Sequence, residues 1–236
     1  MAKVINELGS FKSILEIGVG EATTLNLVLK NLIHSPQEIL GFDISWSRIK
    51  FAKDFSNSDL NLNSNINFFT ANLFQIPLLD NCIDIVYTSH SLEPNGGREK
   101  EALIELYRVT KKYLILLEPS FELGNFNSKE RMKKHGYVTE LFKTASELNF
   151  KIIEYKLFEH SSNPLNPTGL LIIEKGTESN SSGCDLVCPI TLTSLSKHNN
   201  HLLYSKDSCL SYPIIEGIPC LLKENAILTS HLKTKI

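Results

Sequence analysis

The segment LEIGVGEATT (15–24) is the first place where residue type and spacing suggest chemistry, through Glu16, Gly18 and Gly20. Glycines allow a close backbone approach to a ligand, and between an apolar run and a helix start they make a loop whose N–H groups can face it. A tight strand-to-helix turn would use the same residues. The dinucleotide fingerprint wants a third glycine three positions after Gly20, where Thr23 stands, so a pyrophosphate cradle is disfavoured. Glu16 argues the same way, because a carboxylate there repels phosphate and suits a cationic amino group. Asp43 follows Gly20 by 23 residues, where a carboxylate accepts both hydroxyls of a ribose. Ala71-Asn72-Leu73 then offers an amide to an adenine edge.

A second group of polar residues suits proton transfer and recognition of a hydroxylated ligand. SHSLEPNGGRE (89–99) carries His90, Glu93 and Asn95, and a capped helix start is the plainer account of the same letters. Glu118 ends an apolar run in LLEPS, and KKHGY (133–137) adds His135 and Tyr137. SSNPLNPTG (161–169) holds Asn163 and Asn166 in a proline-stiffened loop that could present amides with little entropy loss, or simply join a hairpin. Trp46 reads as sheet packing and His34 as a solvated helix end.

These residues need a scaffold that brings them to one edge. Apolar runs predict strands at 13–17, 38–43, 66–70, 83–88 and 112–118, alternating with helices at 22–34, 46–57 and 97–109. That alternation is the mark of a parallel sheet covered on both faces, whose ligands sit at the carboxyl ends of the strands. A helix at 138–148 leads to strands at 150–157 and 169–174, expected as an antiparallel edge pair. GTESNSSG (176–183) reads as a linker, which divides the chain into residues 1–175 and 184–236. The second part shows short strands, turn signals at Tyr212-Pro213 and Glu216-Gly217, and a short helix. About 50 residues make a marginal core, so docking on the larger part is expected, around Leu186, Leu203, Tyr212, Ile214, Ile218 and Leu221.

The bulk numbers narrow the partners. Of 236 residues, 42% are hydrophobic and 21% charged, enough to bury a core. A formal charge of −2 lacks the basic excess that nucleic acid favours. No apolar run approaches a membrane span, and MAKVINELGS lacks the layout of a signal peptide, so a cytoplasmic location is expected. Five cysteines is an odd number, and Cys184, Cys188, Cys209 and Cys220 cluster late in the chain, which raises a metal question.

Residues 10–118, and more loosely 10–175, resemble the class I S-adenosylmethionine-dependent methyltransferases. The family's acidic-x-Gly-x-Gly loop matches Glu16, Gly18 and Gly20, with Ala22 where a third glycine is common, and its ribose-binding acid matches Asp43. Asn72 replaces the usual aspartate at the adenine position. The resemblance implies a doubly wound, mostly parallel seven-strand Rossmann-like sheet and S-adenosylmethionine as cofactor, with Ile44, Ala71, Leu73 and Ser89 also at the cofactor. It implies His90, Glu93, Glu118 and His135 as candidate catalytic groups. Asn95, Tyr137, Asn163 and Asn166 would meet the acceptor, expected to be a small polar molecule such as a sugar or sugar-like acid of a bacterial surface-glycan pathway. Methylation of RNA or a translation protein is the rival activity, and a silent cofactor-binding partner is the rival from another class. The sequence leaves room for a homodimer.

LVCPI and LSYPIIEGIPCLL within 184–228 resemble the small zinc-ribbon-like activators of translation methyltransferases. Zinc in such ribbons needs four soft ligands, commonly in a Cys-x-x-Cys knuckle. Thr191 and Ser205 stand at two ligand positions, so a metal-free β-rich domain is expected; a site improvised from Cys184, Cys188, Cys209 and His198 or His201 is the alternative.

Overall fold

The computed structural model describes residues 1–58, 65–159, 163–176, 183–230 and 232. Most of the expected linker, residues 177–182, therefore lies outside the described residues, as do residues 160–162 of the asparagine-rich loop.

Seven strands form the main sheet: β1 (Ser13–Ile17), β2 (Glu38–Asp43), β3 (Ile66–Thr70), β4 (Ile83–Ser89), β5 (Thr110–Pro119), β6 (Lys151–Leu157) and β7 (Thr168–Glu174). Their spatial order is β3-β2-β1-β4-β5-β7-β6. The first five pair in parallel, while β7 runs antiparallel to both β5 and β6. The last two strands are thus an antiparallel pair, with β7 inserted between β5 and the edge strand β6.

Both faces are covered, which is why the central strands read as unbroken apolar runs. On one face α1 (Ala2–Glu7), α2 (Thr23–Lys30) and α3 (Trp46–Ser58) contribute Ile5, Leu25, Val28, Ile49 and Ala52. On the other, α4 (Glu99–Val109) and α6 (Leu141–Glu147) contribute Ala102, Leu103, Leu106, Leu141 and Ala145. The expected helix starts at 22 and 138 move inward to Thr23 and Leu141. Two helices that hydrophobic period did not predict are α1 and α5 (Phe126–His135). α5 buries little beyond Ser128 and Met132 and is fixed instead by its caps: Asn125 Oδ1 accepts from Ser128 N at 2.9 Å, and Gly136 takes the left-handed conformation at φ +66°.

A second, antiparallel sheet comprises β8 (Ser196–His198), β9 (Leu202–Ser205), β10 (Leu210–Ile215), β11 (Ile218–Pro219) and β12 (Ile227–Leu228), with a 3-10 turn at Lys223–Asn225 where a short helix was expected. Glu216 (φ +51°) and Gly217 (φ +75°) make the β10–β11 hairpin turn, as their signal predicted. Tyr212-Pro213 is not a turn: both residues lie in β10, paired with Leu203 and Leu202, and the Pro213 carbonyl accepts from Cys220 N at 2.9 Å.

The second sheet does not stand alone. Cys188, Tyr212 and Leu221 are fully buried in the same cluster as Leu40, Phe69, Ile76 and Leu78 of the main domain, while Ile218 joins the cluster on the opposite face. Leu186 and Leu203 pack against this core, and Ile214 lines the cleft between the two sheets. Fully burying such a side chain contributes about 1.5–3 kcal/mol, so the shared cluster supplies apolar area that 50 residues lack. No described helix is long and apolar enough to cross a membrane.

Candidate active site

The carboxyl edge of the sheet gathers both groups of residues. Gly18 (φ +65°) and Gly20 (φ +55°) turn the chain from β1 into α2. Gly18 is also a point of close approach, since a Cβ there would lie 2.4 Å from Ser91 Cβ in the loop after β4. Asp43 ends β2 and holds the turn shut: Oδ2 accepts from Gly20 N at 3.1 Å and Oδ1 from Ser45 N at 2.9 Å. Arg48 lies 3.9 Å from the same carboxylate but is half exposed, so the pair is weak.

Glu16 sits deep under this loop. Its Oε2 accepts from the Tyr87 hydroxyl of β4 at 2.9 Å, and burial pushes the carboxyl up to about 8. Tyr87 had no sequence signal; its register opposite Glu16 in the parallel pair brings it there.

Ala71 and Asn72 follow β3. Asn72 Oδ1 accepts from Phe74 N at 3.0 Å, which fixes the amide plane and leaves the Nδ2 hydrogens as the donors it can offer. Ala71 is buried and Leu73 packs against the core, whereas Ile44 is 64% exposed. Ser89 closes β4 opposite Leu117.

Next to Gly18 and Ser91 stands a side-chain relay. His90 occupies the left-handed region (φ +55°), which aims its ring back over the sheet end. Its Nδ1 lies 2.9 Å from Glu93 Oε2, and its Nε2 lies 3.1 Å from Thr168 Oγ1 at the start of β7. A carboxylate can only accept, so in the neutral ring Nδ1 donates to Glu93 and Nε2 accepts a hydrogen bond from the Thr168 hydroxyl. Asn166 Nδ2 donates to Glu93 Oε1 at 3.3 Å and steadies the far end. Thr168 has no motif to betray it, because β7 brings it in from 78 positions away.

Glu118 plays a different part. Its Oε1 accepts from Ser91 N at 3.0 Å and Leu92 N at 3.2 Å, and its Oε2 accepts from Glu93 N at 3.1 Å. Burial pushes its carboxyl up to about 7 against the pull of the loop N–H groups and of His90. This geometry makes Glu118 a positioning residue for the loop that carries His90. Asn95 is also turned onto its own loop, donating to Leu92 O at 3.2 Å.

The remaining residues lie apart from the relay. His135 is exposed at the end of α5 and its ring stacks on Tyr137 at 5.4 Å, with Arg131 over the Tyr137 ring at 5.3 Å. The backbone around them ties α5 to the relay loop, since Gly136 O accepts from Gly96 N and Val138 N donates to Glu93 O. Asn163 Oδ1 accepts from Leu165 N at 3.0 Å within its own turn. The cysteines are engaged separately, Cys184 Sγ with the Cys82 carbonyl at 3.2 Å and Cys188 Sγ with Tyr212 Oη at 3.5 Å.

A family model described as "Methyltransferase domain" matches residues 15–116. This stretch is similar to a methyltransferase domain. The match runs from the strand holding Glu16 to the last residues before Glu118. Among solved structures, an S-adenosylmethionine-dependent methyltransferase from Methanosarcina mazei superposes with a TM-score of 0.59 at 18% identity, covering 74% of this chain and 98% of its own. The magnesium protoporphyrin IX methyltransferase from Synechocystis PCC 6803, solved with bound S-adenosylhomocysteine, gives 0.56 at 16% identity over 73% and 78%. The [4+2]-cyclase SpnF gives 0.58 at 15% identity over 75% and 80%. At these identities the likeness speaks for the fold, and the cyclase is a reminder that the fold alone does not fix the reaction. Comparison with curated proteins finds no match.

The strand-end site would fit a nucleoside-bearing cofactor such as S-adenosylmethionine on two observations. The cradle at Gly18 is one that a Cβ would fill, and Ser91 Oγ beside it is buried without a hydrogen-bond partner.

Proposed function

We propose that the chain transfers a methyl group from S-adenosylmethionine to a hydroxyl or amine of a small polar acceptor, a sugar or sugar-like acid of a surface-glycan pathway. The observation that carries this reading is the Glu93–His90–Thr168 relay set beside the Gly18 cradle. The cofactor supplies a methyl group on a sulfonium, an electrophile that needs no nucleophile from the protein. Gly18, Gly20, Asp43, Asn72 and the buried Glu16 are the residues that would hold it, with Glu16 facing its cationic end.

The acceptor side is the work of this chain's own groups. Glu93 holds the imidazole in the tautomer whose Nε2 lone pair can accept a proton. Thr168 occupies that lone pair in the described state, so an acceptor hydroxyl would take the place of the threonine hydroxyl and lose its proton to Nε2. Asn166 and Asn95 are amides within reach of a hydroxylated ligand. The acidic and amide character of this half supports a hydroxyl-rich small acceptor over a polyanion. The second sheet reads as a metal-free descendant of the ribbon-like activators, fused to the domain it supports.

The test is methyl transfer from radiolabelled S-adenosylmethionine to a panel of free sugars, uronic acids and RNA. Label in a sugar or uronic acid is the expected result. Label only in RNA, or binding of the cofactor with no turnover on any acceptor, would overturn the reading.

A further inference from the structure

The segment Thr70–Pro77, which carries Asn72, is gripped at both ends by the C-terminal part of the chain, through residues that flank the second sheet. At its start, Leu221 N donates to Thr70 O at 2.9 Å, and Cys220 bridges Thr70 in parallel, extending the open edge of β3. At its end, Val187 N donates to Pro77 O at 3.0 Å. Between these points the segment is a tight turn, with Gln75 N donating to Asn72 O at 2.9 Å and Phe74 N to Asn72 Oδ1. The side chains agree with the backbone. Leu73 and Phe74 pack on the cluster that buries Cys188, Tyr212 and Leu221, and Arg98 covers the Phe74 ring at 3.5 Å. A further tie joins the second sheet to α3, whose Lys50 pairs with Glu216 and whose Lys53 Nζ donates to Glu216 O at 2.8 Å.

From this bracketing we propose that the C-terminal part of the chain, which carries the second sheet, is a clamp on the adenine side of the cofactor site, with Val187 and Leu221 as positioning residues that act through Thr70–Pro77 on Asn72. The inference rests on the reading of Asn72 as an adenine contact. A loop fixed at both ends loses little freedom when it meets a ligand, so the clamp lowers the ordering cost of binding. Linkage makes the effect reciprocal: a ligand that favours the ordered loop must also favour the Val187 and Leu221 hydrogen bonds.

The experiment combines calorimetry of S-adenosylhomocysteine and adenosine binding with amide hydrogen exchange on the full chain. In the wild type, adenosine should slow exchange at Val187 and Leu221 as well as at 71–75. Val187→Pro and Leu221→Pro, each lacking one donor, should weaken adenosine binding tenfold or more. Asn72→Ala should add little in the Leu221→Pro background, whereas a merely structural role gives additive losses. Unchanged exchange at Val187 and Leu221 on binding overturns the clamp, even where the proline variants fail to fold. Folded proline variants with wild-type affinity overturn it too. A wild type that binds neither ligand instead overturns the cofactor reading beneath it.

Discussion

The two halves of the carboxyl edge are built by different means. On the half proposed to hold the cofactor, positions are set largely by backbone: left-handed glycines, the β2 end, and a loop tied through main-chain bonds to residues flanking the second sheet. On the half proposed to meet the acceptor they are set by side chains, with Glu118 collecting three loop N–H groups and Glu93, His90 and Thr168 linked in series. Backbone placement tolerates exchange of side chains, while a series of side chains fails at any link. Substitutions should therefore have sharper and more local consequences on the acceptor half.

The largest effect is expected at His90. His90→Ala should lower turnover roughly 100- to 10,000-fold while S-adenosylhomocysteine affinity stays within about twofold. Equal losses in both measurements would erase the contrast between the halves. Glu118→Ala strands three loop donors, and at about 1–3 kcal/mol for an unsatisfied group it should destabilise the fold by at least about 3 kcal/mol, read from urea unfolding. A loss below about 1 kcal/mol would mean that water replaces the carboxylate.

On the other half, Asp43→Ala removes a charged hydrogen-bond partner and should weaken the cofactor by about 1.5–3 kcal/mol, or roughly 10- to 150-fold, by calorimetry. Unchanged affinity would leave Asp43 as only a cap for the Gly20 turn. A pH series separates the buried glutamates. Glu16 and Glu118 rise from 4.5 to about 8 and about 7, so the folded state favours their protonated forms. Their contribution to stability is complete below pH 4.5 and is lost as pH rises through 7 to 8. Glu16→Gln should flatten the fall of Tm between about pH 5 and 8.5; parallel curves for wild type and variant would show that Glu16 does not carry it. The smallest effect belongs to His135→Ala, expected within about 0.5 kcal/mol in stability and twofold in turnover. A tenfold loss of turnover would bring α5 into the acceptor site.

What could be read from the sequence follows the same division. Glu16, Gly18, Gly20 and Asp43 were legible because the backbone imposes fixed spacings between strand ends and turns, and the alternating apolar runs gave five parallel strands nearly to the residue. His90 and Glu93 were legible as candidates in one polar loop, but their hydrogen bond to each other was not. Thr168 and Tyr87 were not, because strand register brings them to their partners and register leaves no local mark. α5 was missed because its sequence, FNSKERMKKH, has almost no apolar period, although Asn125 before it and Gly136 after it were usable cap signals. Pro213 misled, since a proline after tyrosine looks like a turn and here continues a strand.

The bond between Leu221 and Thr70 also has a meaning in time. A chain synthesised from its N-terminus can pair β1 to β5 and bury most of the central sheet while β11 is still to come, because those contacts lie within the first half of the sequence. Contacts between distant parts of a chain form late, since the loop they close must be ordered before they reward it. The Asn72 turn therefore gains its outer support after the glycine loop and Asp43 are in place. On refolding, the native far-ultraviolet signal should return first and full affinity for the cofactor should follow.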